Sequence, residues 1–239
     1  MNKLLLMIMF VLMSYASEIF IAASANTAYA MPEIIKKFNQ KYPDVKVNVI
    51  LASSGKLTAQ IIHGAEYDVF MAANMKYPEF LYKQGIAKTE PKVYAKGAIA
   101  LFSVKNINLK DFKNALLKAK SVAIANPKTA PYGRAAVEAV KNAGIYPNIR
   151  EKFVFAETVS AVIPYTFNSA DVGIVAKSSL FSNQMKRYKN FADVPQNLYN
   201  PIDQGIVIFN KKNETIKFYN FIFSEDAKQI FKKYGYIEK

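Results

Sequence analysis

Short apolar runs alternate with helical patterns along the whole chain. Each run is four to eight residues long and rich in aliphatic or aromatic residues, which is typical of a strand. The predicted strands are 19–23, 45–52, 69–73, 98–104, 121–125, 172–175 and 205–209. Strands that alternate with helices predict parallel sheets with crossover helices, so the fold class is α/β.

Helix signals are clearest at the end of the chain. Ser224 can cap a helix whose first turn carries Glu225 and Asp226, and apolar residues then recur at helical spacing up to Gly235. We therefore expect one face of this last helix to be buried.

Pro32 constrains the first helix. If that helix began at Asn26 or Thr27, Pro32 would lie past the first turn, where it removes a hydrogen bond and clashes with the preceding turn. The sequence therefore predicts either a kink near Pro32 or a helix that begins later.

The first residues have the pattern of a secretory signal. Lys3 precedes an apolar run, 4–13, which is too short to span a bilayer. Two small-x-small cleavage sites compete, 14–16 and 28–30. Cleavage after Ala30 would delete the candidate first strand, so we predict a signal peptide over 1–16. Since no later run is long enough for a transmembrane helix, we expect a soluble protein outside the cytoplasm.

Composition excludes several kinds of site. The chain has no cysteine, which excludes disulfides, thiolate metal ligands, a cysteine nucleophile and a lipid anchor at the signal junction. The formal charge is +14, but the lysines are spread along the chain and export argues against a nucleic-acid partner. The lysines are either ordinary solvated surface residues or residues that attract small anions over a long range.

A hydroxyl-rich turn joins the strand 45–52 to a short helix. Ser53, Ser54 and Gly55 stand at the start of this helix, and Gly64 follows its end. The free N–H groups and the dipole of a helix N-terminus favour an oxyanion.

This region carries a family resemblance. The pattern Ser-Ser-x-x-Leu-x-x-Gln-Ile, followed by Gly-Ala-x-x-Asp-Val-Phe, lies within 53–73 and resembles the periplasmic molybdate-binding proteins of ABC transporters, the ModA family. The pattern Ala-x-x-Ile-Phe-x-x-Tyr-Gly over 227–235 resembles the closing helix of periplasmic solute receptors.

The resemblance implies a two-lobed periplasmic-binding-protein fold of type II. Each lobe would be a mixed, mostly parallel sheet flanked by helices, with the ligand cleft between the lobes. Lobe 1 would be discontinuous, 17–96 plus 199–239, and lobe 2 would be 97–198. The chain would then cross between the lobes near Lys96 and Leu198.

The resemblance also implies four anion-binding residues. Asn26 stands where the family has serine and offers both a backbone and a side-chain N–H. Ser54 offers its hydroxyl and its N–H, whereas Ser53 is interpreted as a cap or turn residue. Tyr132 and Val159 match positions that bind through the backbone N–H. The alternative for Asn26 is a helix N-cap, a role that is compatible with binding.

One family position differs here. Many members have a tyrosine after Gly-Ile-Val, and this chain has Ala176. Lys177, Tyr29 or a water molecule could supply the missing donor. The alternative for Lys177 is an ordinary surface lysine.

The implied function is capture of molybdate or tungstate in the periplasm and delivery to the permease of an ABC transporter, by a monomeric receptor without cofactor or free metal cation. A site with donors alone selects against phosphate, which keeps a proton at neutral pH.

The changes at Asn26 and Ala176 leave open a receptor of the same fold for sulfate, a small organic carboxylate or a phosphate ester. Arg134 is the only arginine in the four implied loops and so the only arginine clamp available there for such a ligand.

Catalysis is not expected. The only histidine, His63, precedes Gly64 at a helix end, where a cation near the negative end of the dipole explains it. The acidic pair at 225–226 belongs to a helix start, and Glu157 stands alone. A structural or adhesive surface protein is the third hypothesis, and such a protein would show no stabilisation by a ligand.

Overall fold

The computed structural model describes residues 17–237. The predicted signal peptide, 1–16, lies outside these residues. Within 17–237 no helix is both long enough and apolar enough to cross a membrane.

Two five-stranded sheets organise the described residues. Their strands are β1 Ser17–Ser24, β2 Val45–Ala52, β3 Val69–Ala72, β4 Lys92–Gly97, β5 Ile99–Phe102, β6 Val122–Ala125, β7 Phe153–Ala156, β8 Val172–Ala176, β9 Phe191–Asp193 and β10 Ile202–Ile208. The first sheet has the order β2-β1-β3-β10-β4, and the second has the order β7-β6-β8-β5-β9. All seven predicted strands are present, whereas β4, β7 and β9 were not predicted.

Both sheets are mixed. In the first sheet β1 runs parallel to β2 and β3, and β10 runs antiparallel to β3 and β4. In the second sheet β6 runs parallel to β7 and β8, and β5 runs antiparallel to β8 and β9. We call the first sheet with its helices lobe 1 and the second sheet with its helices lobe 2.

Helices flank both sheets. They are α1 Met31–Lys41, α2 Ser54–Ile62, α3 Lys76–Lys83, α4 Phe112–Lys118, α5 Pro131–Asn142, α6 Tyr146–Ile149, α7 Val162–Asn168, α8 Asn213–Ile222 and α9 Glu225–Lys233. In lobe 1, apolar residues of α1, α8 and α9 share one core with the first sheet, and those of α2 and α3 share another. Lobe 2 has its own core, to which α4, α5 and α7 contribute. The predicted fold class, two mixed sheets flanked by helices, is confirmed.

The first helix begins later than Asn26. A 3₁₀ turn, Ala25–Tyr29, follows β1, and α1 starts at Met31. Pro32 therefore lies in the first turn of α1. A backbone N–H in the first turn has no acceptor within the helix, so the absence of this N–H in proline costs no hydrogen bond there. The prediction of a later start is confirmed, and the kink is wrong.

The last helix has the predicted cap. The Ser224 side chain accepts a hydrogen bond from the Ala227 N–H, and Glu225 and Asp226 occupy the first turn of α9. Its buried face includes Ile230 and Phe231.

The chain passes between the two sheets twice. It leaves the first sheet after β4 and enters the second at β5, then leaves β9 and returns in β10. Lys96 lies in β4, and Leu198 lies between β9 and β10. The lobe boundaries themselves stay a prediction.

Candidate functional site

The start of α2 presents a buried serine. Ser54 is fully buried, and its Oγ accepts a hydrogen bond of 2.9 Å from the Ala73 N–H, just after β3. Because Oγ is the acceptor in this bond, the hydroxyl hydrogen remains available. The Ser54 N–H lies in the first turn of α2, where a helix supplies no carbonyl partner. Ser54 can therefore offer two donors to one ligand.

Ser53 lies at the predicted cap position, but its side chain does not cap the helix. It occupies the N-cap position of α2 with an extended backbone, but its side chain makes no capping bond. Its Oγ is buried and has no hydrogen-bond partner within residues 17–237. The sequence analysis did not predict this second free hydroxyl. The only signal for it in the sequence was the pair of adjacent serines.

The Asn26 side chain is used within the protein. Its Nδ2 donates to Gln204 Oε1 at 2.9 Å and to the Tyr236 hydroxyl at 2.7 Å. An amide nitrogen has two hydrogens, so both are committed. This corrects the expectation that the Asn26 side-chain N–H is free for a ligand and leaves its backbone N–H as the available donor.

The backbone of Asn26 is also held. Its carbonyl accepts hydrogen bonds from Ser178 Oγ at 2.9 Å and from the Tyr236 hydroxyl at 3.0 Å. Asn26 is not the N-cap of the 3₁₀ turn, because Ser24 occupies that position, so the capping alternative is wrong. Among the described residues, Asn26 Oδ1 is buried without a partner.

Tyr132 lies in the first turn of α5, with its backbone N–H where a helix leaves donors unpaired. Its ring reaches the other lobe: a Cβ added to Gly97, the last residue of β4, would overlap the Tyr132 hydroxyl. Burial, reinforced by Tyr236, raises the pKa of Tyr132 well above its usual value. The phenol therefore stays neutral at physiological pH, and it contacts the protein through its hydroxyl as well as its backbone.

Val159 lies in the turn between β7 and α7. It is buried, and its carbonyl accepts from the Val162 N–H at 3.3 Å, while Thr158 Oγ1 accepts from the Ala161 N–H at 3.2 Å. These bonds fix the backbone of the turn that carries the predicted Val159 donor.

Contacts between the lobes bring the four predicted segments together. The Gly55 N–H, next to Ser54, donates to the Thr129 carbonyl at 3.0 Å. Lys56 pairs with Glu157, two residues before Val159. A Cβ on Gly97 would overlap the Tyr132 hydroxyl and lie 2.9 Å from Nε2 of Gln204, whose Oε1 accepts from Asn26. Segments from both lobes therefore meet at the start of α2 and again beside Asn26, whose carbonyl accepts from Ser178.

Lys177 and Tyr29 are the candidate residues for the donor missing at Ala176. Lys177 Nζ pairs with Asp193 at 2.7 Å, as expected for a structural surface lysine. Tyr29 lines an open groove of about 800 Å³ together with Ile163, Phe167 and Met185 of lobe 2. Within residues 17–237, no contact of Lys177 or Tyr29 supports either one as the replacement for the tyrosine missing at Ala176.

Arg134 links the lobes. Its Nη1 donates to the Pro127 carbonyl at 3.2 Å and lies 3.4 Å from the Tyr77 hydroxyl, and its guanidinium stacks 5.4 Å from the Tyr77 ring centre. Nη2 is buried without a partner in the described part of the chain. The arginine available to clamp a carboxylate is therefore partly committed to Tyr77.

His63 occupies the C-cap position of α2, which fits the predicted structural role. Within 17–237, no group of three or more histidine, aspartate or glutamate side chains could hold a metal ion.

The sequence profile described as bacterial extracellular solute-binding protein matches residues 19–237. The chain belongs to this family. The solute-binding protein is 32% identical to the molybdate-binding protein ModA of Rhodobacter capsulatus, over 93% of this chain and 89% of the relative. It is 31% identical to ModA of Azotobacter vinelandii, over 92% of this chain and 90% of the relative.

Solved structures agree with this assignment. The periplasmic molybdate-binding protein of Azotobacter vinelandii superimposes with a TM-score of 0.86 at 28% identity, over 92% of this chain and 99% of that one. The predicted resemblance to the ModA family is confirmed, and so is the two-lobed fold.

Proposed function

We propose that this solute-binding protein captures molybdate, and also tungstate, in the periplasm and delivers it to the membrane permease of an ABC transporter. It acts as a monomer, needs no cofactor and performs no chemistry on its cargo. The observation that carries the proposal is the buried Ser54, whose Oγ accepts from Ala73 and keeps its hydrogen for a ligand. The molybdate-binding relatives support the choice of oxyanion.

Neutral donors suit a tetrahedral dianion. Burying a charge without partners is prohibitive, but donors fixed by the fold can replace its water shell. Ser54 at the start of α2 and the backbone N–H groups of Tyr132, Val159 and Asn26 are such donors. Each hydrogen bond to a charged ligand contributes about 1.5–3 kcal/mol net.

A receptor for a larger organic anion is the competing function. Such a ligand calls for an arginine clamp, and Arg134 donates to Pro127 and stacks on Tyr77. Only Nη2 of Arg134 is without a partner among the described residues, so a clamp through both nitrogens would have to displace the Nη1 contacts with Pro127 and Tyr77, which favours a small oxyanion.

A thermal-shift panel of molybdate, tungstate, sulfate, phosphate and citrate tests the proposal. A ligand at 100 times its dissociation constant adds about 2.7 kcal/mol to the free energy of unfolding, so binding is readily detected. We expect molybdate and tungstate to raise the melting temperature, with one-to-one stoichiometry by calorimetry. No response to either, together with a response to citrate, would assign the protein to the competing function.

A further inference from the structure

A buried polar cluster lies where the lobes meet, beside the candidate site. We call it the Asn26 cluster, and it consists of Asn26, Tyr132, Ser178, Gln204 and Tyr236. Asn26 and Gln204 are fully buried, and the other three are at most 5% exposed. Three members belong to lobe 1 and its C-terminal segment, and two belong to lobe 2.

Tyr236 makes two contacts with the same residue. Its hydroxyl accepts from Asn26 Nδ2 at 2.7 Å and donates to the Asn26 carbonyl at 3.0 Å. A single hydroxyl therefore restrains both the side chain and the backbone of Asn26. Ser178 Oγ, from lobe 2, donates to the same carbonyl.

The position of the Tyr236 hydroxyl is itself fixed. Its ring packs edge-on against Phe231 of α9 at 5.2 Å. The next residue, Ile237, exchanges backbone hydrogen bonds with Lys96 of β4. The end of the described chain is thus anchored to the strand from which the chain passes into lobe 2.

We propose that Tyr236 is a positioning residue for anion capture. It fixes the turn after β1 so that the Asn26 N–H faces the anion and the Asn26 carbonyl receives Ser178 when the lobes meet. Tyr236 acts through Asn26 and does not touch the anion. This inference rests on the proposed function only for the role of Asn26 as a ligand contact.

A purely structural role for Tyr236 is the alternative, and Tyr94 provides a matched control. Tyr94 is also buried and packs on the same Phe231 ring at 5.2 Å, but its hydroxyl has no partner within residues 17–237. Replacing either tyrosine by phenylalanine removes one buried hydroxyl from the same core. Only the change at 236 releases Asn26.

The experiment compares wild type, Tyr236→Phe and Tyr94→Phe. The titrant is molybdate. If citrate alone stabilises the wild type, citrate is the titrant instead. Failure of the proposed function is then detected in the wild type and is distinguished from failure of the proposal for Tyr236. We expect Tyr236→Phe to weaken binding about tenfold, mainly by faster dissociation, and Tyr94→Phe to leave affinity unchanged. Equal affinities for the two variants would overturn the proposal.

A second variant gives an independent test. Ser178→Ala removes the lobe 2 donor to the Asn26 carbonyl, and we expect the loss of affinity in the Ser178→Ala, Tyr236→Phe double variant to differ from the sum of the single losses. Strict additivity would contradict a shared role through Asn26. If Tyr236→Phe does not fold, Ser178→Ala alone decides: wild-type affinity would overturn the proposal, and weaker binding would support it.

Discussion

The Gly55 N–H and the Thr129 carbonyl form a 3.0 Å hydrogen bond that joins α2 of lobe 1 to the loop before α5 of lobe 2. A Cβ on Gly55 would lie 2.9 Å from that carbonyl oxygen and 2.7 Å from the Tyr77 hydroxyl. Any side chain at position 55 would therefore separate the lobes beside the candidate site.

The variant Gly55→Ala should bind molybdate more weakly because its methyl group obstructs this contact. Calorimetry should show the lower affinity, while the unliganded melting temperature stays near that of the wild type. Lys56→Ala is the neighbouring control, since it breaks the exposed pair with Glu157, which contributes about 0–1 kcal/mol. Wild-type affinity in Gly55→Ala would show that the lobes need not meet here.

The variant Ser54→Ala should lose about 1.5–3 kcal/mol of binding free energy, because it deletes a donor to a charged ligand. Thr58→Val is the matched control: Thr58 is a buried hydroxyl residue of the same helix, and it donates to the Ser54 carbonyl. Its affinity should stay close to that of the wild type. Similar losses of affinity in the two variants would show that the effect arises from a change in the helix and not from a lost contact with the ligand.

The variant Tyr132→Phe should weaken molybdate binding measurably. A role through the backbone alone would make this change silent, but the Tyr132 hydroxyl also packs against Gly97 of lobe 1. Calorimetry on the variant distinguishes the two roles. Affinity equal to that of the wild type would show that Tyr132 contributes to binding through its backbone N–H alone.

Ligand binding should make the protein more compact. Donors from both lobes surround an anion fully only when the lobes are closed, so molybdate should shift the population towards the closed form. Small-angle scattering should record a smaller radius of gyration at saturating molybdate. Unchanged dimensions, with binding confirmed by calorimetry, would indicate a rigid pocket.

Stability should depend on pH through Asp171. Its hydrogen bonds with the Lys105 ammonium and the Lys120 N–H hold the pKa of the carboxyl below the usual 3.8. A lowered pKa contributes stability that is present above pH 3.8 and is lost as the pH falls through the folded value. Asp171→Asn should therefore cost about 1.5–3 kcal/mol at pH 7 and much less near pH 3, as measured by urea unfolding.

Asp193→Asn is the control for this prediction. Asp193 pairs with Lys177, but its side chain is 59% exposed, so its loss should cost little at either pH. A cost of Asp171→Asn that is the same at both pH values would contradict the assigned role of the carboxylate.

The sequence predicted the strands with strong apolar runs and missed β4, β7 and β9. All three stand at the edges of their sheets, where another strand of the sheet pairs on one side only. In β4 the charged residues Lys92 and Lys96 interrupt the apolar pattern, as is common in edge strands. Their existence depends on pairing with distant strands, which local patterns do not report.

The same limit applies to the candidate site. The position of Ser54 could be predicted, because the serine doublet, the helix start and the preceding strand are local. The use of the Asn26 side chain could not, because its partners Gln204 and Tyr236 lie 178 and 210 residues away. Such partners become visible only when the fold brings the chain ends together.

The close approach of Tyr132 to Gly97 has a consequence for engineering. A phenol from one half of the molecule occupies the space that a side chain at position 97 would need, at the point where the chain passes between the halves. Substitutions of increasing volume at this position would hold the halves progressively further apart without replacing any residue that is proposed to contact the ligand. Position 97 therefore offers a means of adjusting the working range of an oxyanion biosensor built on this scaffold.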